Sequence, residues 1–306
     1  MPVLMYLLMF FLLSDLTKLI LFLFGKKIVN FNLYSTGISL LLCTLLMIYG
    51  ALHARTIKTV NYSLTLPGSG SDIHIVLLSD LHIGSTIGKT WVKRAADSIN
   101  KAQPDMICFA GDIFDGNTDT INDLDGVISV LNAVKAPLGV YAVLGNHDVD
   151  RMSIRGGSTE RIEEILEAAG IVLLMDEVHQ VRENLFIAGR RDARPIGMNV
   201  GRKTAKELLA GIEGTIVMLD HQPASFTQTE QAGADLVLCG HTHSGQFFPA
   251  NLVTRSIFKK ADAVSYGLWK GKKMQAVVTS GAGVWGPPVR IGTNSEIAVI
   301  NIEFVP

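Results

Sequence analysis

The sequence predicts an α/β domain of paired sheets carried behind a pair of apolar helices. Three observations predict it. Two long apolar runs occupy residues 1–55. From Thr56 onward, short runs rich in Val, Ile and Leu alternate with amphipathic stretches, the mark of α/β layering. Toward the C-terminus, strand-like runs follow one another with few helices between, which points to paired sheets in a β-sandwich with helices outside.

Val3 to Phe24 is almost continuously apolar, with charge only at Asp15 and Lys18, three apart and so on one helix face. Ser35 to Leu52 carries no charge. A helix crosses a bilayer with about 20 apolar residues, so the two runs read as a transmembrane hairpin closed by the short link 25–34. A cleaved signal peptide fits less well. Met1 to Leu13 holds no Lys or Arg, and Ala51-Leu52-His53-Ala54 has the wrong spacing for cleavage. The hairpin makes the chain a multi-pass protein of the cell membrane and returns it to its starting side. Lys26 and Lys27 in the link nearly balance Arg55 and Lys58 after it, and the reading leans to a cytoplasmic domain. The 48% hydrophobic content and mean hydropathy of +0.32 agree with an anchor. A net charge of -1 gives no reason to expect nucleic acid, and no protein partner is implied. Cys43, Cys108 and Cys239 each sit in an apolar run and read as buried thiols.

Strands are expected at His74–Leu78, Met106–Ala110, Val140–Leu144, Leu185–Ala188, Thr215–Leu219, Leu236–Cys239, Gln275–Thr279 and Ile297–Phe304, with one more before the turn at Pro67-Gly68. Ile121, Leu124, Val127, Ile128, Leu131 and Val134 recur at helical spacing, as do Ile162, Ile165 and Leu166 within Ser158 to Ala169.

Five strands end in polar, ligand-type residues: Asp80 and His82; Asp112; Asn146, His147 and Asp148; His221; His241 and His243. The C-terminal edge of such strands is where α/β sites form. Five of the eight histidines fall there, a distribution that scattered surface histidines would not show. The set offers oxygen and imidazole and no thiolate, which suits Mn, Fe or Zn. An aspartate in so rich a set can bridge two ions, and a pair about 3.5–4 Å apart lowers the pKa of a bridging water and clamps a phosphoryl group for in-line attack.

Asp-x-His, Gly-Asp, Gly-Asn-His-Asp, a lone His and Gly-His-x-His, in that order, resemble the calcineurin-like metallophosphoesterases. The resemblance covers Ile73 to Val305 and includes all five blocks, so residues 56–306 read as that family's domain. It implies an α/β/β/α sandwich, two divalent metal ions and a phosphoester substrate. It also implies that Asp80, His82, Asp112 and His243 hold one ion, that Asp112, Asn146, His221 and His241 hold the other, and that His147, oriented by Asp148, serves the leaving group. Ser280-Gly281-Ala282-Gly283, Pro288-Val289-Arg290, Glu296-Ile297 and His243-Ser244-Gly245-Gln246 with Pro249 resemble a bacterial, membrane-associated phosphodiesterase branch, some of whose members act on lipid-linked pyrophosphates. A tethered phosphatase or nuclease of soluble substrates, or a silent metal-binding sensor, are the alternative expectations.

Other features stay open. Gly84-Ser85-Thr86-Ile87-Gly88-Lys89-Thr90 is one residue short of a phosphate-binding P-loop. Gly281-Ala282-Gly283-Val284-Trp285-Gly286 reads as a dinucleotide motif, but Pro287-Pro288 blocks the helix it needs. Arg290 is either a substrate-phosphate contact or a solvated surface charge. Residues 252–260 are either a cap loop or a basic, apolar segment lying on a membrane. Gly189-Arg190-Arg191-Asp192 is either a substrate-binding charge or a strand-end turn.

Overall fold

The computed structural model describes residues 2–149, 159–193 and 201–305. Helices α1 (Pro2–Leu23) and α2 (Phe31–Ala54) are each long and apolar enough to cross a membrane. Their open end is seated on the rest of the chain. The Tyr6 hydroxyl donates to the Phe248 carbonyl at 2.6 Å, the Arg290 amide donates to the Gly50 carbonyl at 3.0 Å, and Ser295 Oγ donates to the Ala54 carbonyl at 2.7 Å. Gly50 has to be small here, because a Cβ would meet Ile291 Cγ1 at 2.9 Å. Tyr6, Cys43 and Ile291 form the small core at this junction.

Twelve strands among the described residues form two six-stranded sheets. The first sheet has the order β1 (Ile57–Pro67), β12 (Ser295–Val305), β2 (Ile73–Leu78), β3 (Met106–Ala110), β4 (Val140–Val143), β5 (Val172–Leu173). The second has the order β10 (Gly267–Lys270), β11 (Gln275–Val278), β9 (Leu236–Cys239), β8 (Thr215–Leu219), β7 (Leu185–Gly189), β6 (Glu177–Arg182). Strands β2 to β5 run parallel, as do β7, β8, β9 and β11, while β2–β12, β6–β7 and β10–β11 are antiparallel.

The strands are apolar on both faces, and the period of two explains why. Ile75, Leu77, Cys108 and Ala110 face Ile187, Val217, Leu219 and Leu238 across the sandwich core. Val76, Leu78, Ile107 and Phe109 point the other way, onto α3 (Lys89–Ala102), α4 (Leu124–Asn132) and α5 (Glu160–Ala168). Ala188, Met218, Val237 and Cys239 pack outward against α6 (Ala205–Leu208) and α7 (Phe226–Gln231) through Leu208 and Phe226. The expected four layers are therefore present, and all three cysteines are free and buried.

Three short strands, β5, β6 and β10, and helices α3, α6 and α7 add to the elements expected from sequence. Residue 158, the expected start of the helix ending near Ala169, lies outside the described residues. Residues 250–260 form a helix, α8 (Ala250–Lys260), and not a loop.

Candidate metal centre

Every ligand-type residue expected from the strand ends lies at one edge of the sandwich. The first sheet delivers Asp80 and His82 after β2, Asp112 after β3 and Asn146 after β4; the second delivers His221 after β8 and His241 and His243 after β9. Ligand atoms of Asp80, His82 and His243 lie within 4.8 Å of one another, and so do those of Asp112, His221 and His241. The Asp112 carboxylate joins the two groups. Its Oδ2 is 3.2 Å from His221 Nε2 and 3.8 Å from His82 Nε2, while Oδ1 accepts from the His147 amide at 2.7 Å. His243 Nε2 is 3.4 Å from Asp80 Oδ1 and 3.0 Å from His82 Nε2. Asn146 Oδ1 is 3.2 Å from His221 Nε2.

The backbone is bent to achieve this. Asp80, His82, Asp112, His241 and His243 all have positive φ, between 48° and 72°. That region costs a side-chain-bearing residue about 1–3 kcal/mol, and such strain gathers at functional sites. The glycines before the ligands make room for a neighbouring loop. A Cβ on Gly111 would meet His221 Nδ1 at 2.5 Å, one on Gly145 would meet the Asp112 amide nitrogen at 2.5 Å, and one on Gly240 would meet Asp80 Oδ2 at 2.5 Å.

The residues fit cations. Burial pushes His82 down to about 4 and, with the charge of Arg290 beside it, holds His243 well below the usual range, so both rings are neutral and carry lone pairs. His82 Nδ1 is buried without a hydrogen-bond partner. Burial alone would lower His221 too, but the Asp112 carboxylate wins and holds it well above its ordinary value. Asp112 itself is held far below the carboxylate range, since its histidine neighbours outweigh burial. The proton on His221 thus supplies positive charge that the buried carboxylates demand. Burial raises Asp80 to about 6. Outer partners orient the ligands: His221 Nδ1 donates to the Ala110 carbonyl at 2.8 Å, and both Asp80 oxygens accept the His241 amide.

Two expectations are corrected, and one left open between alternatives is decided. Asp148 does not orient the His147 ring. It is buried and accepts from the amides of Ile113, Phe114 and Gly145 at 3.2, 2.7 and 2.8 Å, while His147 Nδ1 lies 3.5 Å from Asp115 Oδ1. Arg290 is neither a surface charge nor a free phosphate contact. It is fully buried and donates to the carbonyls of Ser280 at 2.6 Å, Gly283 at 2.8 Å and His243 at 3.2 Å. Arg190 is tied to Asp220 at 2.9 Å, beside Arg202 on the same carboxylate, and therefore braces the turn before His221. Asp115 is the functional neighbour that strand-end reasoning misses, because it stands three residues beyond Asp112 in a loop.

A cleft of about 400 Å³ opens over the centre, lined by Asn146, His147, His241, His243, Ala250, Thr254 and Trp285. The Trp285 and His147 ring centroids are 6.3 Å apart.

Residues 73–245 match the family model for calcineurin-like phosphoesterase. The chain belongs to the calcineurin-like phosphoesterase family. It is similar to an uncharacterized metallophosphoesterase of Campylobacter jejuni, 29% identical over 297 residues that cover 94% of this chain and 76% of that one. It is also similar to a transmembrane protein with metallophosphoesterase domain from Danio rerio, 30% identical over 285 residues that cover 88% and 62%. Among solved structures, a dimetal phosphatase from Danio rerio superposes with a TM-score of 0.42 at 11% identity, covering 71% of this chain and 89% of that one. Family membership and the ligand groups make the protein a metal-dependent phosphoesterase.

Proposed function

We propose that the protein is a dinuclear phosphoesterase acting at a membrane on the phosphodiester or pyrophosphate linkage of a lipid-linked substrate. One observation carries the two-ion reading: Asp112 Oδ2 faces His221 on one side and His82 on the other. In this reading Asp80, His82 and His243 hold one ion, Asn146, His221 and His241 hold the other, and Asp112 serves both. Mn, Fe or Zn suits this donor set. Bound divalent ions would supply Lewis acidity toward phosphoryl oxygens and ease deprotonation of water.

The chain's own residues supply position and a proton. Burial lowers the proton affinity of His147, but Asp115 and then Asp112 more than reverse this, and the ring sits above its ordinary pKa. With Nδ1 turned to Asp115, Nε2 is the nitrogen left to donate to a leaving-group oxygen. Asp148 holds three amides of the turns that carry Asp112 and His147. The two apolar helices support a multi-pass anchor, and we assign the domain to the cytoplasmic face.

The test is metal analysis of the full chain with turnover in Mn of phosphomonoesters, diesters and pyrophosphates, lipids included. Two ions per chain and a preference for a lipid ester are expected. One ion per chain would overturn the dinuclear assignment, preference for a nucleotide would overturn the lipid one, and no turnover at all would leave a sensor. Protease accessibility in sealed vesicles reads the membrane face.

A further inference from the structure

We infer that Phe248, the outer face of α8 and Trp285 form a membrane-docking surface, whose occupant is the headgroup and acyl boundary of the same bilayer that holds the hairpin. The inference rests on the membrane reading above and says how the cleft meets its substrate.

The inner side of α8 is accounted for. Phe258 packs on the core outside the second sheet, and Thr254 lines the cleft. The outer side is uncovered and amphipathic, with three large apolar side chains interleaved with Ser256 and Lys260. Leu252, Val253 and Ile257 are 54%, 61% and 58% exposed, and at about 100° per residue they share one arc of the helix. Trp285, which lines the cleft, and Phe248, next in the chain to the cleft residue Phe247, are both exposed and add aromatic surface. A water-facing surface rarely keeps such a patch without a partner.

Position and charge select the bilayer over a second copy of the chain. Phe248 is bonded to Tyr6, one turn into α1, so the patch begins at the base of the hairpin. The exposed apolar surface of α1, starting at Leu4 and Leu8, continues from that point. Arg255, Lys259 and Lys260 share the helix with the apolar arc, and their stems can lie along acyl chains while their charges reach anionic headgroups. Aromatic rings are favoured at that depth. Ala250, Thr254 and Trp285 belong to the cleft wall, so the docked face is also the rim of the site. A phosphoester in a headgroup would enter from the side, with its acyl chains still in the membrane.

The test uses the full chain in nanodiscs of mixed phosphatidylcholine and phosphatidylglycerol. Leu252→Cys, Ile257→Cys and Lys272→Cys are each labelled with an environment-sensitive fluorophore; the native thiols are buried. Lys272 lies in the β10–β11 turn, at the end of the second sheet away from the ligands. Brominated acyl chains are expected to quench the labels at 252 and 257 at least about threefold more than the label at 272. Equal, weak quenching at all three positions would overturn the inference, as would quenching at 252 and 257 that depends on protein concentration, which would mark a second copy as the occupant. Turnover of phosphomonoesters, diesters and pyrophosphates, lipids included, by the unsubstituted protein is read separately. Its failure would sink the phosphoesterase reading and leave the quenching result standing.

Discussion

The two sheets share one core and one edge, yet they equip that edge differently. The first brings two carboxylates, an amide and a single imidazole, in Asp80, Asp112, Asn146 and His82. The second brings only imidazoles, in His221, His241 and His243. Neither sheet holds a complete set. Both ligand groups are assembled across the seam, and their spacing is fixed by the apolar contacts of Leu77, Ala110, Leu219 and Leu238 beneath them. The anionic half comes from one sheet and most of the imidazoles from the other, so sheet packing sets charge balance as well as distance.

The most damaging way to break this comparison is to remove the oxygen common to both groups. Asp112→Ala should lower kcat by well beyond the roughly 100-fold typical of outer-shell changes and halve the metal content measured by mass spectrometry. On the proposed assignment, His147→Ala removes a proton donor and no ligand. We expect a loss of about 10²–10⁴-fold in kcat with metal content unchanged. Asp115→Asn sharpens the same point through pH. Asp115 raises the affinity of His147 for its proton, so losing it lets that proton leave at lower pH. The alkaline limb of the pH–rate profile should shift downward, with about a tenfold loss of kcat above neutrality.

The smallest effect tests the seam. The Tyr266 hydroxyl, just before β10 in the second sheet, donates at 2.9 Å to buried Glu296 of β12 in the first. Tyr266→Phe should cost about 1.5–3 kcal/mol, seen as a lower melting temperature in detergent, and leave kcat close to wild type.

Much of this was legible in the chain because it is local. The runs Met106–Ala110, Thr215–Leu219 and Leu236–Cys239 are strands with those very bounds, since a strand buried on both faces needs an unbroken apolar run. The ligand types follow directly from where those runs stop. β6 was illegible because it lies at a sheet edge, where Glu177-Val178-His179-Gln180-Val181-Arg182 carries mixed polarity. α3 begins after Gly88, which offers no side-chain cap to mark a helix start, although Trp91, Val92, Ala95, Ala96 and Ile99 repeat at helical spacing. Arg290 and Asp115 act through partners far away in sequence or in irregular loops. No period or spacing reports which carbonyls will surround a guanidinium 47 residues after His243.

The left-handed turns at Asp80, His82, Asp112, His241 and His243 have one more consequence. These side chains are aimed by main-chain torsions and not by their own reach, so an incoming ion meets a mould that has already set. Lengthening a donor by one methylene, as in Asp80→Glu, therefore cannot be absorbed by a rotamer change. The immovable part of the mould is the chain path itself.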